Sequence, residues 1–227
     1  MDTTNVVSRN IDVVFCIDIT GSMGLFLDNF RDSLDQIVEG IQDIAEDKGF
    51  DLERLRFKFI FFKDFNYDAE PLKMTKFFRM PDRYEEVKEI LARYEADGGG
   101  DMPESGMEAL YYAFTSNWTD GPKDRQITML FTDADAQFDY DWYDQKEHDI
   151  DIKVREIADL EKVYNQGSEE APAIKDKIKR LVIFAPEETT YQELPFDNFT
   201  FVPVEYGCGV TGVSLDVILQ YLKEAIC

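Results

Sequence analysis

Three oxygen-bearing side chains stand two residues apart at the end of a short apolar run: Asp18, Thr20 and Ser22, in Val13-Val14-Phe15-Cys16-Ile17-Asp18-Ile19-Thr20-Gly21-Ser22. A carboxylate beside two hydroxyls is a set of hard oxygen donors. It suits Mg²⁺ or a similar cation rather than a soft metal. Two further acids fall at comparable places. Asp133 follows the apolar run 126–132, and Asp101 follows Gly98-Gly99-Gly100 at the entrance to a predicted helix. Other chemistries lack their parts. His148 is the only histidine, which removes a multi-histidine zinc site and argues against a Ser-His-Asp triad. Cys16, Cys208 and Cys227 match neither a zinc spacing nor a disulfide framework. Gly207-Cys208-Gly209-Val210-Thr211-Gly212 lacks the Gly-Lys-Ser/Thr ending of a phosphate loop and reads as a flexible strand–helix connection. The acids after Asp133 lack the central glycine and closing glutamate of an EF-hand.

The elements that must position these residues follow from periodicity. Strands are predicted over 11–17, 55–62, 75–79, 126–132, 180–185 and 199–204. Helices are predicted over 24–47, 82–95, 103–117 and 214–226, where apolar residues recur at three- and four-residue steps. Gly49 closes the first helix. Strands alternating with helices imply an α/β fold: a three-layer, Rossmann-like, doubly wound and mostly parallel sheet of about six strands with helices on both faces. Ligands of such sheets bind outside the carboxyl ends of the strands. Asp18, Asp101 and Asp133 are therefore expected at one edge. Residues 1–227 read as a single domain, with an acidic and aromatic elaboration over 134–178. The aromatics of its first loop, Phe138 to Tyr143, either form a contact surface or tuck onto the body.

Charge narrows the partners. Lys and Arg total 24 against 47 acids, a net charge of −23. Such a chain repels phosphate backbones and anionic lipid surfaces, so neither nucleic acid nor membrane is an expected partner. The N-terminus has no basic and apolar leader, and no apolar run reaches the roughly 20 residues that span a bilayer. The expected location is cytoplasmic.

Asp18-Ile19-Thr20-Gly21-Ser22 resembles the metal-ion-dependent adhesion site of the von Willebrand factor A domain family, whose pattern is Asp-x-Ser-x-Ser. Thr20 keeps the hydroxyl of the first serine. Asp133, in Leu-Phe-Thr-Asp-Ala, resembles the family's third-loop aspartate. The second loop departs, because Asp101 stands where the family has a threonine. In this it is similar to intracellular branches of the family, such as those linked to alpha-kinases and to bacterial tellurium resistance. The resemblance implies a Mg²⁺ site (or Mn²⁺ or Ca²⁺) built from Asp18, Thr20, Ser22, Asp101 and Asp133, and a module that docks a protein partner. Asp101 would make the site about one charge more negative, holding the ion tighter and discouraging an acidic partner. A structural alternative stays open: Asp101 and Glu104 have capping-box spacing around Pro103.

Three functions follow as expectations. The first is the cation-dependent interaction module, with no catalytic residue. The second is a Mg²⁺-dependent phosphohydrolase of the haloacid-dehalogenase type, which also opens on a strand ending in aspartate. It needs a second aspartate two residues on, where Thr20 stands. The third is a scaffold whose binding is independent of metal.

Overall fold

Alternate residues of β1 (Val7–Asp18) go to opposite faces of the sheet, because successive side chains in a strand point in opposite directions. Ile11, Val13, Phe15 and Ile17 enter one apolar cluster. Val14 and Cys16 enter the other. The buried part of the even row begins and ends on fully buried aspartates, Asp12 and Asp18. This register is what delivers Asp18 to an edge of the fold with its carboxylate already out of water.

The computed structural model describes residues 7–100, 103–144, 150–168 and 178–227. After β1 come α1 (Gly24–Asp32), α2 (Leu34–Lys48), β2 (Phe50–Phe62), β3 (Leu72–Met74), β4 (Phe78–Met80) and α3 (Tyr84–Leu91). Then come α4 (Gly106–Phe114), β5 (Arg125–Phe131), α5 (Asp141–Asp144), α6 (Ile157–Gln166), β6 (Lys179–Pro186), β7 (Phe199–Val204) and α7 (Leu215–Ile226). The sheet order is β3-β2-β1-β5-β6-β7, with β4 also on β2. β2, β1, β5, β6 and β7 are mutually parallel, and the short β3 and β4 run antiparallel to β2. Buried side chains of α1, α2, α3 and α7 cover one face. Those of α4 and α6 cover the other. The expected three-layer α/β architecture is the one observed.

Three boundaries differ from the sequence expectations for local reasons. The helix predicted over 24–47 breaks at Ser33, whose N–H is shared between the carbonyls of Asn29 and Phe30. The strand predicted over 75–79 straddles a gap between β3 and β4. There the Thr75 hydroxyl accepts the Phe59 N–H at 3.0 Å and replaces a ladder bond. The helix expected from Pro103 starts only at Gly106, after Ser105. Gly49 closes α2 in a left-handed conformation, φ 69°, as expected.

One buried acid ties the chain at Lys153 and Val154 to the body. Glu108 on α4 is wholly buried, and its Oε1 accepts the N–H groups of Lys153 and Val154 at 2.7 and 2.6 Å. Its Oε2 has no hydrogen-bond partner among the described residues. Burial pushes this carboxyl up to about 7, against the two backbone donors and the Lys153 and Arg155 charges that pull it down. The folded state therefore binds the proton more tightly than the unfolded chain. Stability from this group is complete below the unfolded value near 4.5 and is lost as pH rises toward 7. The loss amounts to roughly 3 kcal/mol at about 1.4 kcal/mol per unit. Urea unfolding of Glu108→Gln against wild type should show the variant gaining relative stability from pH 4.5 to 7.5. A pH-independent difference would disprove it.

Candidate metal centre

β1 and β5 are parallel neighbours, with Ile17 opposite Phe131, so Asp18 and the residues after β5 reach the same edge. The chain leaves β1 toward β2 on one side and returns to β5 on the other. The reversal of strand order opens a crevice there. Asp18 is fully buried. Its Oδ1 accepts the Thr20 N–H at 2.9 Å and the Thr20 hydroxyl at 2.7 Å, and its Oδ2 accepts the Thr132 hydroxyl at 2.7 Å. Burial pushes its carboxyl up to about 6, against those three hydrogen bonds, and the Asp133 charge adds to the rise. Asp133 is also buried. Its Oδ1 accepts the Ser22 hydroxyl at 3.0 Å, and its Oδ2 accepts the Gly209 N–H at 2.6 Å.

Asp18, Thr20, Ser22 and Asp133 are thus brought together as two linked pairs. In each pair the hydroxyl gives its hydrogen to an aspartate, and its oxygen keeps lone pairs that a cation can take. The donors are all hard oxygens, as Mg²⁺ or Ca²⁺ requires. Asp101, the remaining predicted site residue, lies outside the described residues, as does His148. Among the described residues, no three acidic, cysteine or histidine side chains converge closely enough to hold an ion by themselves. Hydroxyls and waters would have to complete the shell.

The described acid of the second loop is Glu104. With α4 starting at Gly106, Glu104 is not placed as a helix cap. Its backbone instead bridges the loop after β5, with its N–H donated to Asp135 and its carbonyl accepting from Gln137, at 2.9 and 2.8 Å. Its side chain is 3% exposed, and Oε2 has no hydrogen-bond partner among the described residues. Burial, reinforced by Asp18, Asp64, Asp68 and Asp133, pushes this carboxyl up to about 10. Gly99 shows where it points. A Cβ added there would lie 2.9 Å from Thr20 Cβ and 3.1 Å from Glu104 Oε1. Glycine, in its left-handed conformation, leaves room on this loop for the Cβ and methyl of Thr20 and for the Glu104 carboxyl.

Sequence reasoning missed three contributors. Thr132 carried a signal, a hydroxyl directly before Asp133 at a strand end. Glu104 was legible only as a cap. Gly209 sits in the loop expected to be flexible, yet it holds Asp133. That loop is strained: Gly207, Gly209 and the β-branched Val210 all have positive φ, 65°, 70° and 51°. Around the site, Leu25, Tyr67, Trp142 and Tyr206 are exposed, and Tyr67 stacks on Trp142 with ring centroids 6.4 Å apart. The aromatics of the 135–144 loop divide: Tyr140 and Tyr143 are buried and Trp142 faces water.

The chain belongs to the von Willebrand factor A domain family, whose model matches residues 12–194. No curated protein sequence matches it. Among solved structures it is similar to the pilus adhesin SpaC from Lactobacillus rhamnosus GG, with TM-score 0.52 and 12% identity over 98% of this chain and 31% of that one. The open conformation of the same adhesin gives TM-score 0.50 and 11% identity over 98% and 30%. The chain thus spans about a third of the length of those adhesins, and at this identity the likeness is one of fold. No helix among the described residues is long and apolar enough to cross a membrane.

Proposed function

We propose that the protein is a divalent-cation-binding interaction module that docks a partner protein at the carboxyl edge of its sheet. Domains of this family generally mediate protein–protein interaction. The observation that carries the cation is the paired geometry: two buried aspartates from neighbouring strands, each bonded by a hydroxyl of the one loop Thr20–Ser22. Asp18, Thr20, Ser22 and Asp133 would hold Mg²⁺, Mn²⁺ or Ca²⁺. The ion would offer a partner a positive coordination point in an otherwise acidic surface. The exposed Leu25, Tyr67, Trp142 and Tyr206 would supply the apolar contact around it, as aromatic residues do at interfaces. No catalysis is assigned. Thr20 occupies the place where a phosphohydrolase of the alternative type needs its second aspartate. Three free thiols, two of them exposed, fit a reducing, cytoplasmic location.

Calorimetric titration of chelator-stripped protein with Mg²⁺ should find one site. Asp18→Asn and Asp133→Asn should each weaken it at least about tenfold, about 1.4 kcal/mol, with unchanged circular dichroism. Capture of a partner should then fail in both chelator and Asp18→Asn samples. A wild-type protein that takes up no divalent cation at millimolar concentration would sink the reading. Partner capture that survives both treatments would favour the metal-independent scaffold.

A further inference from the structure

We infer that the exposed Tyr67 and Trp142 rings dock a basic segment of the partner protein, with an arginine laid against the indole. The inference rests on the interaction-module reading above and names the chemistry of the partner; it does not depend on the cation. Two loops at the carboxyl edge build the pair, one following β2 and one following β5. Asn66 clamps them together. Its Nδ2 donates to the Asp139 carbonyl at 2.8 Å, and its Oδ1 accepts the Tyr143 N–H at 3.1 Å. The buried Phe65 meets Tyr143 edge-on, with ring centroids 5.2 Å apart. Tyr67 and Trp142 are the chain neighbours of Asn66 and Tyr143, so the clamp sets both, and their rings stack 23° from parallel. Tyr67 also rests on the second loop, since a Cβ added at Gly100 would lie 2.3 to 2.6 Å from its ring carbons.

Although held in place, the two rings stay 53% and 62% exposed. Rings ordered before binding lose little freedom when a partner covers them. Among the described residues, no lysine or arginine lies over the Trp142 ring. Charge selects what can cover it. Residues 64–71 and 133–144 hold eight acids and no lysine, arginine or histidine. Asp68 and Asp141 directly adjoin the two aromatic residues in the chain, and Asp139 and Asp141 are exposed. An anionic partner surface is repelled there. A guanidinium gains twice: its flat face stacks on an indole, the best ring for a cation, and the surrounding acids attract its charge.

The test titrates the full chain with the peptide acetyl-Gly-Arg-Gly-Arg-Gly-amide at physiological salt, in Mg²⁺ and in chelator, following the indole N–H signals by NMR. The Trp142 signal should shift in both. The Trp118 signal, whose indole donates to the Ala113 carbonyl at 3.0 Å, should stay. The same peptide with citrulline or glutamate in place of arginine should bind at least about threefold more weakly, the scale of a cation–π contact at an exposed site. Trp142→Ala, Tyr67→Ala and the pair Asp139→Asn/Asp141→Asn should each weaken the arginine peptide by a similar factor. The pair Asp43→Asn/Glu46→Gln removes equal charge late in α2, near where β2 begins at the amino edge. It should change little, because physiological salt screens charges beyond about 8 Å. Equal binding of the citrulline or glutamate peptide overturns the assignment. So does an unmoved Trp142 signal, loss of binding in chelator, or an equal loss in the Asp43→Asn/Glu46→Gln protein. Failure of the peptide leaves the cation site standing, and failure of the Mg²⁺ titration leaves the aromatic pair standing.

Discussion

Replacing Asp12 with alanine is expected to destabilise the protein by about 3–5 kcal/mol, the usual cost of breaking a buried ion pair from one side. Asp12 is wholly buried on the even row of β1. Its two oxygens accept Arg56 Nε and Nη2 at 2.7 and 2.6 Å, and Oδ2 also accepts the Thr119 N–H and hydroxyl at 2.7 and 2.9 Å. Alanine leaves a mostly buried guanidinium and two donors unpaired, with only the Asn117 carbonyl and the Phe77 ring left to Arg56. Asp12→Asn should cost less, because one oxygen can still accept Thr119. Mg²⁺ affinity of the folded fraction should not change, since six residues of strand put about 20 Å between Asp12 and Asp18. Urea unfolding and calorimetry on the same sample would check both halves. A loss below 1 kcal/mol, or a lowered cation affinity, would contradict this division of labour.

That division is the physical argument for which aspartate is which. Asp12 and Asp18 share a strand, a row and complete burial. Asp12 has a guanidinium fork, the strongest partner a carboxylate has in a protein. Among the described residues, Asp18 has hydroxyls and one backbone N–H but no cationic partner. A buried carboxylate without a counter-charge is costly to keep. Such a group is where a bound cation would be rewarded.

Gly209→Ala is the second large effect expected. A Cβ at Gly209 would lie 2.1 Å from the Ser22 carbonyl oxygen, and the backbone is left-handed, φ 70°. Left-handed backbone alone costs alanine about 1–2 kcal/mol. The collision is with backbone on both sides, so a loop must move. The total should be at least about 2 kcal/mol, within the range of strained-site substitutions. Whichever loop yields, the site opens. The Gly209 N–H leaves Asp133 Oδ2, or Ser22 shifts away from Asp133 Oδ1. Melting temperature and Mg²⁺ affinity should therefore fall together. Gly212→Ala, whose Cβ meets no atom of the described residues within 4 Å, serves as the control. Equal behaviour of the two variants would show that the 207–210 loop does not brace the site.

The strands and helices were legible because burial imposes a period. The odd row Ile11, Val13, Phe15, Ile17 and the three- and four-residue steps of α2 are visible without coordinates. Asp18, Thr20, Ser22 and Asp133 were legible because they cluster at strand ends within short motifs. Glu104 was not. Its three-residue spacing from Asp101 fits a helix cap equally well, and only the bridge to Ala136 shows that it belongs to the site loops. Asp12 was passed over because its partners, Arg56 and Thr119, lie 44 and 107 residues away.

The sequence by itself determined the α/β class, the order of elements and the two motifs that end β1 and β5, since these depend on local period and on neighbours in the chain. Tertiary structure alone decided which aspartate is neutralised by an arginine and which is left to hydroxyls. It also decided that a glycine-rich loop near the C-terminus braces Asp133, and that Glu104 is buried near Gly99 with one oxygen lacking a hydrogen-bond partner among the described residues. The reason is electrostatic. The state of a buried charge is set by whatever the fold brings within a few ångströms, and residue type and spacing along the chain carry no record of that.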